Sequence, residues 1–168
     1  MKIDRIFLFF AALALLALLA LAAPNTSLAF RPGEKVPDIR METLDGESFQ
    51  LYDQKGEVIL LKLGATWCPE CQQQSWQINQ AHEFLAANNV PYIEVFLQDS
   101  EDSVRDLLAK SNHHLTPTVI LDEGQIKRSY NVFMIPRLLI LDGDFRVVYD
   151  GGLLEAKQLV ALLKDAGL

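Results

Sequence analysis

Val58-Ile59-Leu60-Leu61-Lys62-Leu63-Gly64-Ala65-Thr66-Trp67-Cys68-Pro69-Glu70-Cys71 begins as an almost unbroken apolar run and ends in two cysteines spaced as CxxC. Bounded by Gly56 and Gly64, the run predicts a strand with both faces covered, as in a parallel sheet. From Cys68 the rhythm becomes helical: Cys71, Ile78, Ala81 and Leu85 fall mostly on one face, and Asn88-Asn89 closes the segment. Cys68 therefore stands at a helix start, where unpaired N–H groups and the positive end of the dipole favour a thiolate. Pro69 suits the first turn because its missing N–H costs nothing there. One turn later Cys71 can reach the Cys68 sulfur and expel a substrate from a mixed disulfide.

Upstream, Arg31-Pro32-Gly33-Glu34-Lys35-Val36-Pro37 reads as an extended lead-in. Residues 39–43 and 48–52 flank Asp45-Gly46 as a β-hairpin. Downstream, residues 90–97 read as a strand. Asp99-Ser100-Glu101-Asp102 starts a helix through Lys110 that turns Val104, Leu107 and Leu108 inward. A strand over 118–121, a short helical stretch over 124–130 and a strand over 137–141 follow. Asp142-Gly143-Asp144 reverses the chain into 146–149. Ala156, Leu159, Val160 and Leu163 mark a last helix, with Gly167 at its end. The alternation predicts an α/β fold, a central mixed sheet flanked by helices with an N-terminal β-hairpin extension.

With 168 residues the chain suits one compact domain, and a composition 50% hydrophobic and 22% charged is globular. A formal charge of -7 supplies no basic footprint, which argues against a nucleic-acid partner. Two cysteines exclude a disulfide-rich scaffold and a four-cysteine zinc site. Lys2 and Arg5 precede an uninterrupted apolar run over 6–23, followed by Pro24-Asn25-Thr26-Ser27-Leu28-Ala29. Small residues at Ser27 and Ala29 fit cleavage before Phe30, while the run's length approaches the ~20 residues of a spanning helix. Residues 1–29 are thus a signal peptide or an N-terminal membrane anchor. Residues 30–168 form a domain on the outer side of the membrane, periplasmic or otherwise extracytoplasmic.

A CxxC pair also occurs in zinc sites and in structural disulfides. Half a zinc site would need further ligands, and the adjacent His113-His114 lacks the usual ligand spacing. A permanent structural disulfide gains little from so short a loop. Gln72-Gln73-Gln74 reads as an ordinary polar helix face. Trp67 and Trp76 are candidates either for contact surfaces or for packing.

The segment 57–85 resembles the thioredoxin-like superfamily, in particular exported thiol:disulfide oxidoreductases of the TlpA/ResA/CcmG type. The likeness extends through Val36-Pro37-Asp38, Leu44-Asp45-Gly46, Tyr130-Asn131-Val132, Ile135-Pro136 and Leu139-Ile140-Leu141-Asp142-Gly143. It implies a thioredoxin-like fold in which Pro136 is cis beside Cys68 and Cys71, keeping metal away, with the Ile135 backbone binding a substrate strand. It also implies an active-site loop of Trp67, Pro69 and Glu70, and no cofactor beyond the redox-active Cys68–Cys71 pair. Electrons would come from a membrane thiol donor and go to disulfides of exported proteins, with cytochrome c maturation as one setting. Several positions depart from the pattern. Lys62 stands where thioredoxins carry a buried aspartate, Gln74 where some members have a glutamate, Arg137 where a threonine is common, and Trp76 where a proline often kinks the helix. Proton handling or pKa tuning thus falls to Lys62 and Glu70, and the carboxylate of Glu70, by disfavouring a Cys68 thiolate, points to a reductant. Rival readings are a disulfide-introducing oxidase and a non-enzymatic copper-binding or partner-docking domain. Peroxiredoxins resemble the N-terminal half, but Thr66-Trp67-Cys68 does not meet their loop spacing.

Overall fold

The computed structural model describes residues 30–54, 56 and 58–168; the expected signal or anchor at 1–29 lies outside the described residues. The apolar run forms β3 (Val58–Gly64), buried along its whole length at the centre of a five-stranded sheet. Around it lie β4 (Tyr92–Leu97), β5 (Thr118–Asp122), β6 (Arg137–Asp142) and β7 (Val147–Gly151), in the order β5-β4-β3-β6-β7. β3 pairs with β4, and β4 with β5, in parallel; β3 with β6, and β6 with β7, run antiparallel. The sheet is mixed, as the sequence predicts.

Alternation along β3 divides the core. Ile59, Leu61 and Leu63 join Val36, Ile39, Phe49 and Leu51 on one face. Val58 and Leu60 meet Ile78, Leu85, Leu159 and Leu163 on the other. That second face is covered by α1 (Pro69–Gln80), α2 (His82–Ala87) and a C-terminal α5 (Ala156–Asp165), while α3 (Glu101–Lys110) and α4 (Gln125–Ser129) connect the strands.

The N-terminal hairpin is a separate two-stranded sheet, β1 (Arg40–Glu42) with β2 (Ser48–Gln50). Its turn uses Gly46 at φ +81°. The second arm is shorter than the expected 48–52 because Leu51–Asp53 winds into a 3-10 turn. Leu44 N–H donates to Val119 O (2.8 Å), which fastens the hairpin to β5.

The single helix expected from Cys68 to Asn88-Asn89 is instead divided at Ala81 (φ -95°, ψ 8°). Ala81 N–H turns back to Ile78 O (3.0 Å), and the Asn79 carbonyl accepts from His82 Nδ1 (2.8 Å). The Asn79 side chain meanwhile accepts the His114 N–H (2.7 Å). A local tightening and a tertiary bond thus compete with the regular ladder, and neither is encoded in apolar spacing.

Phe30 is tied into the far end of the sheet. Its N–H donates to Asp150 Oδ2 (2.7 Å), and its ring meets Tyr130 edge-on at 5.4 Å. Arg137, the first residue of β6, grips the same Asp150 through Nε (2.7 Å) and Nη2 (2.6 Å) and donates through Nη1 to Tyr130 O.

Candidate active site

Cys68 caps α1 with extended backbone (φ -96°, ψ 108°), and its Sγ accepts the Cys71 N–H at 3.1 Å. Pro69 is the first helical residue and has no N–H to satisfy, and the Cys71 N–H is the first-turn donor that the cap sulfur accepts. Cys68 and Cys71 form a disulfide with Cα atoms 5.2 Å apart. Cys68 is 6% exposed and Cys71 only 1%. The opening to solvent is narrow and lies at Cys68, the sulfur the sequence reading makes the attacker.

The structure brings the distant loop to this pair. Ile135 packs against Ala65, Cys68 and Cys71, and the Ile135–Pro136 bond is cis, with Pro136 buried. Around the opening Trp67, Phe133 and Met134 expose large apolar side chains. Phe133 and Met134 were not singled out in the sequence, although two bulky apolar residues directly before Ile135-Pro136 were a usable signal. Trp76 is also exposed, on α1. Pro69 and Glu70 are exposed at the first turn.

Asp99, read as part of a helix start, has a second task. The cap of α3 is Ser100, whereas Asp99 accepts from Thr66 N–H and Thr66 Oγ1, each at 2.7 Å, and so pins the approach to Cys68. The glutamine run splits as well. Gln74, expected on a solvated face, is fully buried and holds Leu154 N–H (2.7 Å) and Leu154 O (3.3 Å), joining α1 to the segment before α5. A buried amide needs such partners.

Beneath Cys71 lies a polar cluster of which the sequence showed only Lys62. Lys62 shares the strand parity of Val58 and Leu60, and so faces α1; Glu70 is not part of this group. Lys62 Nζ donates to Ser75 Oγ (2.5 Å) and is ion-paired with Glu94, its register partner on β4. Ser75 Oγ also donates to Cys71 O (3.2 Å) and lies 3.2 Å from Glu94 Oε1. Tyr92 OH donates to Glu94 Oε2 (2.7 Å), and burial together with the Glu94 charge holds the Tyr92 hydroxyl well above its ordinary titration range. Among the described residues no group of three or more His, Cys, Asp or Glu is placed to hold a metal ion.

Gly64 makes this proximity possible. A Cβ there would stand 3.2 Å from Cys71 Cβ and 3.3 Å from Cys71 Sγ, with Lys62 Cε at 3.6 Å. Since a central strand and a helix start fix both sides, Gly64→Ala is expected to destabilise by about 1–3 kcal/mol. Urea unfolding of the oxidised protein checks this.

A helix-capping disulfide, a cis-proline loop packed on it and a mixed sheet beneath define a thiol-disulfide oxidoreductase of the thioredoxin-like class. The chain belongs to the AhpC/TSA family, whose profile matches residues 32–150. It is 30% identical over 116 residues to thioredoxin-like protein YneN of Bacillus subtilis, covering 68% of each chain. To thiol-disulfide oxidoreductase ResA of Bacillus thuringiensis subsp. konkukian it is 23% identical over 118 residues, covering 70% of this chain and 68% of ResA. The fold matches that of a thiol:disulfide interchange protein of the thioredoxin family from Chlorobium tepidum. There the TM-score is 0.70 at 19% identity, over 82% of this chain and 97% of that one.

Proposed function

We propose that the protein works outside the cytoplasm as a reductant of disulfides in exported proteins, apocytochrome c among them. The Cys68 thiolate attacks a substrate sulfur and forms a mixed disulfide. Cys71 then attacks Cys68, releasing the reduced substrate and closing the disulfide, which a membrane thiol donor reopens. No bound cofactor enters this cycle. The observation that carries the reading is the contrast between the two sulfurs: one opens at a helix cap beside Ile135-Pro136, the other is enclosed a turn behind it. The exposed Trp67, Phe133 and Met134 suit a polypeptide partner rather than a small disulfide, since they offer apolar area around the reacting sulfur.

Residues 1–29 supply the export signal or the anchor in this proposal. Among the described residues no helix is long and apolar enough to cross a membrane.

The direction rests on Glu70, an exposed carboxylate in the first turn beside Cys68. Its charge opposes the Cys68 thiolate, which destabilises the reduced form and lowers the potential. Equilibration with thiol buffers is expected to give a potential below about -200 mV, and Glu70→Gln to raise it by roughly 10–30 mV. A value near the ~-120 mV of strong oxidants would overturn the reductant reading in favour of a disulfide-introducing oxidase.

A further inference from the structure

We propose that Glu94 receives the proton of the Cys71 thiol, by way of Ser75, and passes it to solvent through the cavity between the N-terminal hairpin and α3. The proposal rests on Cys71 being the resolving thiol, as set out above.

Resolution requires Cys71 to lose a proton while almost wholly enclosed, so bulk water cannot take it directly. The polar groups gathered behind it are Lys62 on β3, Ser75 on α1, and Tyr92 and Glu94 on β4, all buried. Lys62 as an ammonium has no lone pair to offer. Tyr92 keeps its own proton and only hydrogen-bonds through it to Glu94. The Ser75 hydroxyl can relay a proton but not store one. Glu94 alone can hold it. Glu70, the other carboxylate near the dithiol, is exposed in the first turn and is absent from these contacts.

The Ser75 hydroxyl stands between the two ends of the path, against the Cys71 carbonyl on one side and Glu94 on the other, and reaches Cys71 Sγ by rotation about its own Cα–Cβ bond. Ser75 lies one helical turn beyond Cys71, with its hydroxyl 3.2 Å from Glu94 Oε1. Gln72, Ser75, Glu94 and Phe96 also line a cavity of about 830 Å³, large enough to hold water. Its remaining walls come from hairpin residues 43–47, from α3 and from residues 111–119. The charged or titratable groups facing that space are Asp45, Glu47, Arg105, Lys110 and His113.

In the reacting state, Cys68 is bonded to a substrate sulfur. Ser75 gives its hydroxyl proton to Glu94 as it takes the proton from Cys71 Sγ. The Cys71 electron pair forms the bond to Cys68 Sγ, the Cys68–substrate bond breaks, and the substrate sulfur leaves as a thiolate that water protonates. Glu94 then returns its proton to cavity water. Two electrons have passed from the dithiol to the substrate disulfide. Lys62 explains why the pair is built as an ion pair: its Cε and the Cys71 side chain lie on the same side of Gly64, so one ammonium stays near the negative charge both when Glu94 carries it and when sulfur does. Lys62 and Glu94 act through Cys71 and are positioning and proton-relay residues.

The test uses the reduced full chain and dithiobis-nitrobenzoate, which releases one chromophore when Cys68 attacks and a second when Cys71 resolves. For Glu94→Gln the first release is expected to stay within about twofold of wild type, while the second slows on the order of a hundredfold at neutral pH. Its rate should then climb about tenfold per pH unit, because hydroxide replaces the lost acceptor, whereas Glu94→Asp recovers part of the wild-type profile. Should Glu94→Gln not fold, because Lys62 loses its partner, the double variant Lys62→Met/Glu94→Gln removes both charges and should show the same slow, steep second release. A second release with wild-type rate and pH profile in these variants overturns the proposal. Absence of the first release from the wild-type protein would overturn attack by Cys68 itself, and with it both readings.

Discussion

Replacing Cys71 by serine is expected to turn the protein from a turnover catalyst into a trap. Cys68 retains its place at the cap of α1 and attacks a disulfide as before, yet nothing inside the molecule can then break the mixed disulfide. Oriented intramolecular groups reach effective molarities on the order of 10⁵ M, so millimolar external thiol is a poor substitute and turnover should fall by at least about a thousandfold. Cys68→Ser should lose as much turnover and capture nothing, because the remaining sulfur is 1% exposed. Non-reducing electrophoresis of both variants, incubated with a disulfide-containing polypeptide, reads the difference. Equal capture by the two variants, or capture by neither, would refute the assignment of attacking and resolving roles.

The second large effect concerns stability. Arg137 and Asp150 have side chains 9% and 3% exposed and meet through two parallel hydrogen bonds. Arg137 also supplies donors to the carbonyls of Tyr130 and Asn131, and its guanidinium lies 5.2 Å from the Phe30 ring centre. Arg137→Met leaves a buried carboxylate facing only the Phe30 N–H, and breaking such a pair costs about 3–5 kcal/mol, roughly 8–15 °C in Tm. The pairs Arg105–Glu101 and Lys110–Asp106 lie in solvent, where screening leaves such contacts weak, so their removal is the natural control. Thermal unfolding measures both. An Arg137→Met loss no larger than the controls would show that the buried pair contributes little. Since Arg137 directly follows Pro136, the same variant should also loosen the loop that packs on the cysteines.

Local features were legible in the sequence where one residue type answers one physical demand. The apolar run of β3, the cysteines at its end, the Asp45-Gly46 turn and the amphipathic α5 each needed only their neighbours to be read. Lys62 was half legible. Its parity with Val58 and Leu60 was readable, but which face α1 covers, and the register between β3 and β4 that supplies its partner, are not revealed by sequence order. Glu94 interrupts an otherwise apolar strand, and that single charge was the signal for a buried counter-ion. Gln74 was misjudged, and the second task of Asp99 missed, for another reason. Each carries a polar side chain that looks solvated in one dimension and is claimed in three by backbone groups far along the chain, Leu154 and Thr66.

The bond between Phe30 and Asp150 spans 120 positions. On a ribosome adding about 5–20 residues per second, the carboxylate appears on the order of ten seconds after the amide that will hold it. Both cysteines are already synthesised by then, well before Pro136 and Arg137. A nascent chain therefore carries both thiols before it owns the wall that packs on them, and any companion that guards new thiols has this interval in which to act.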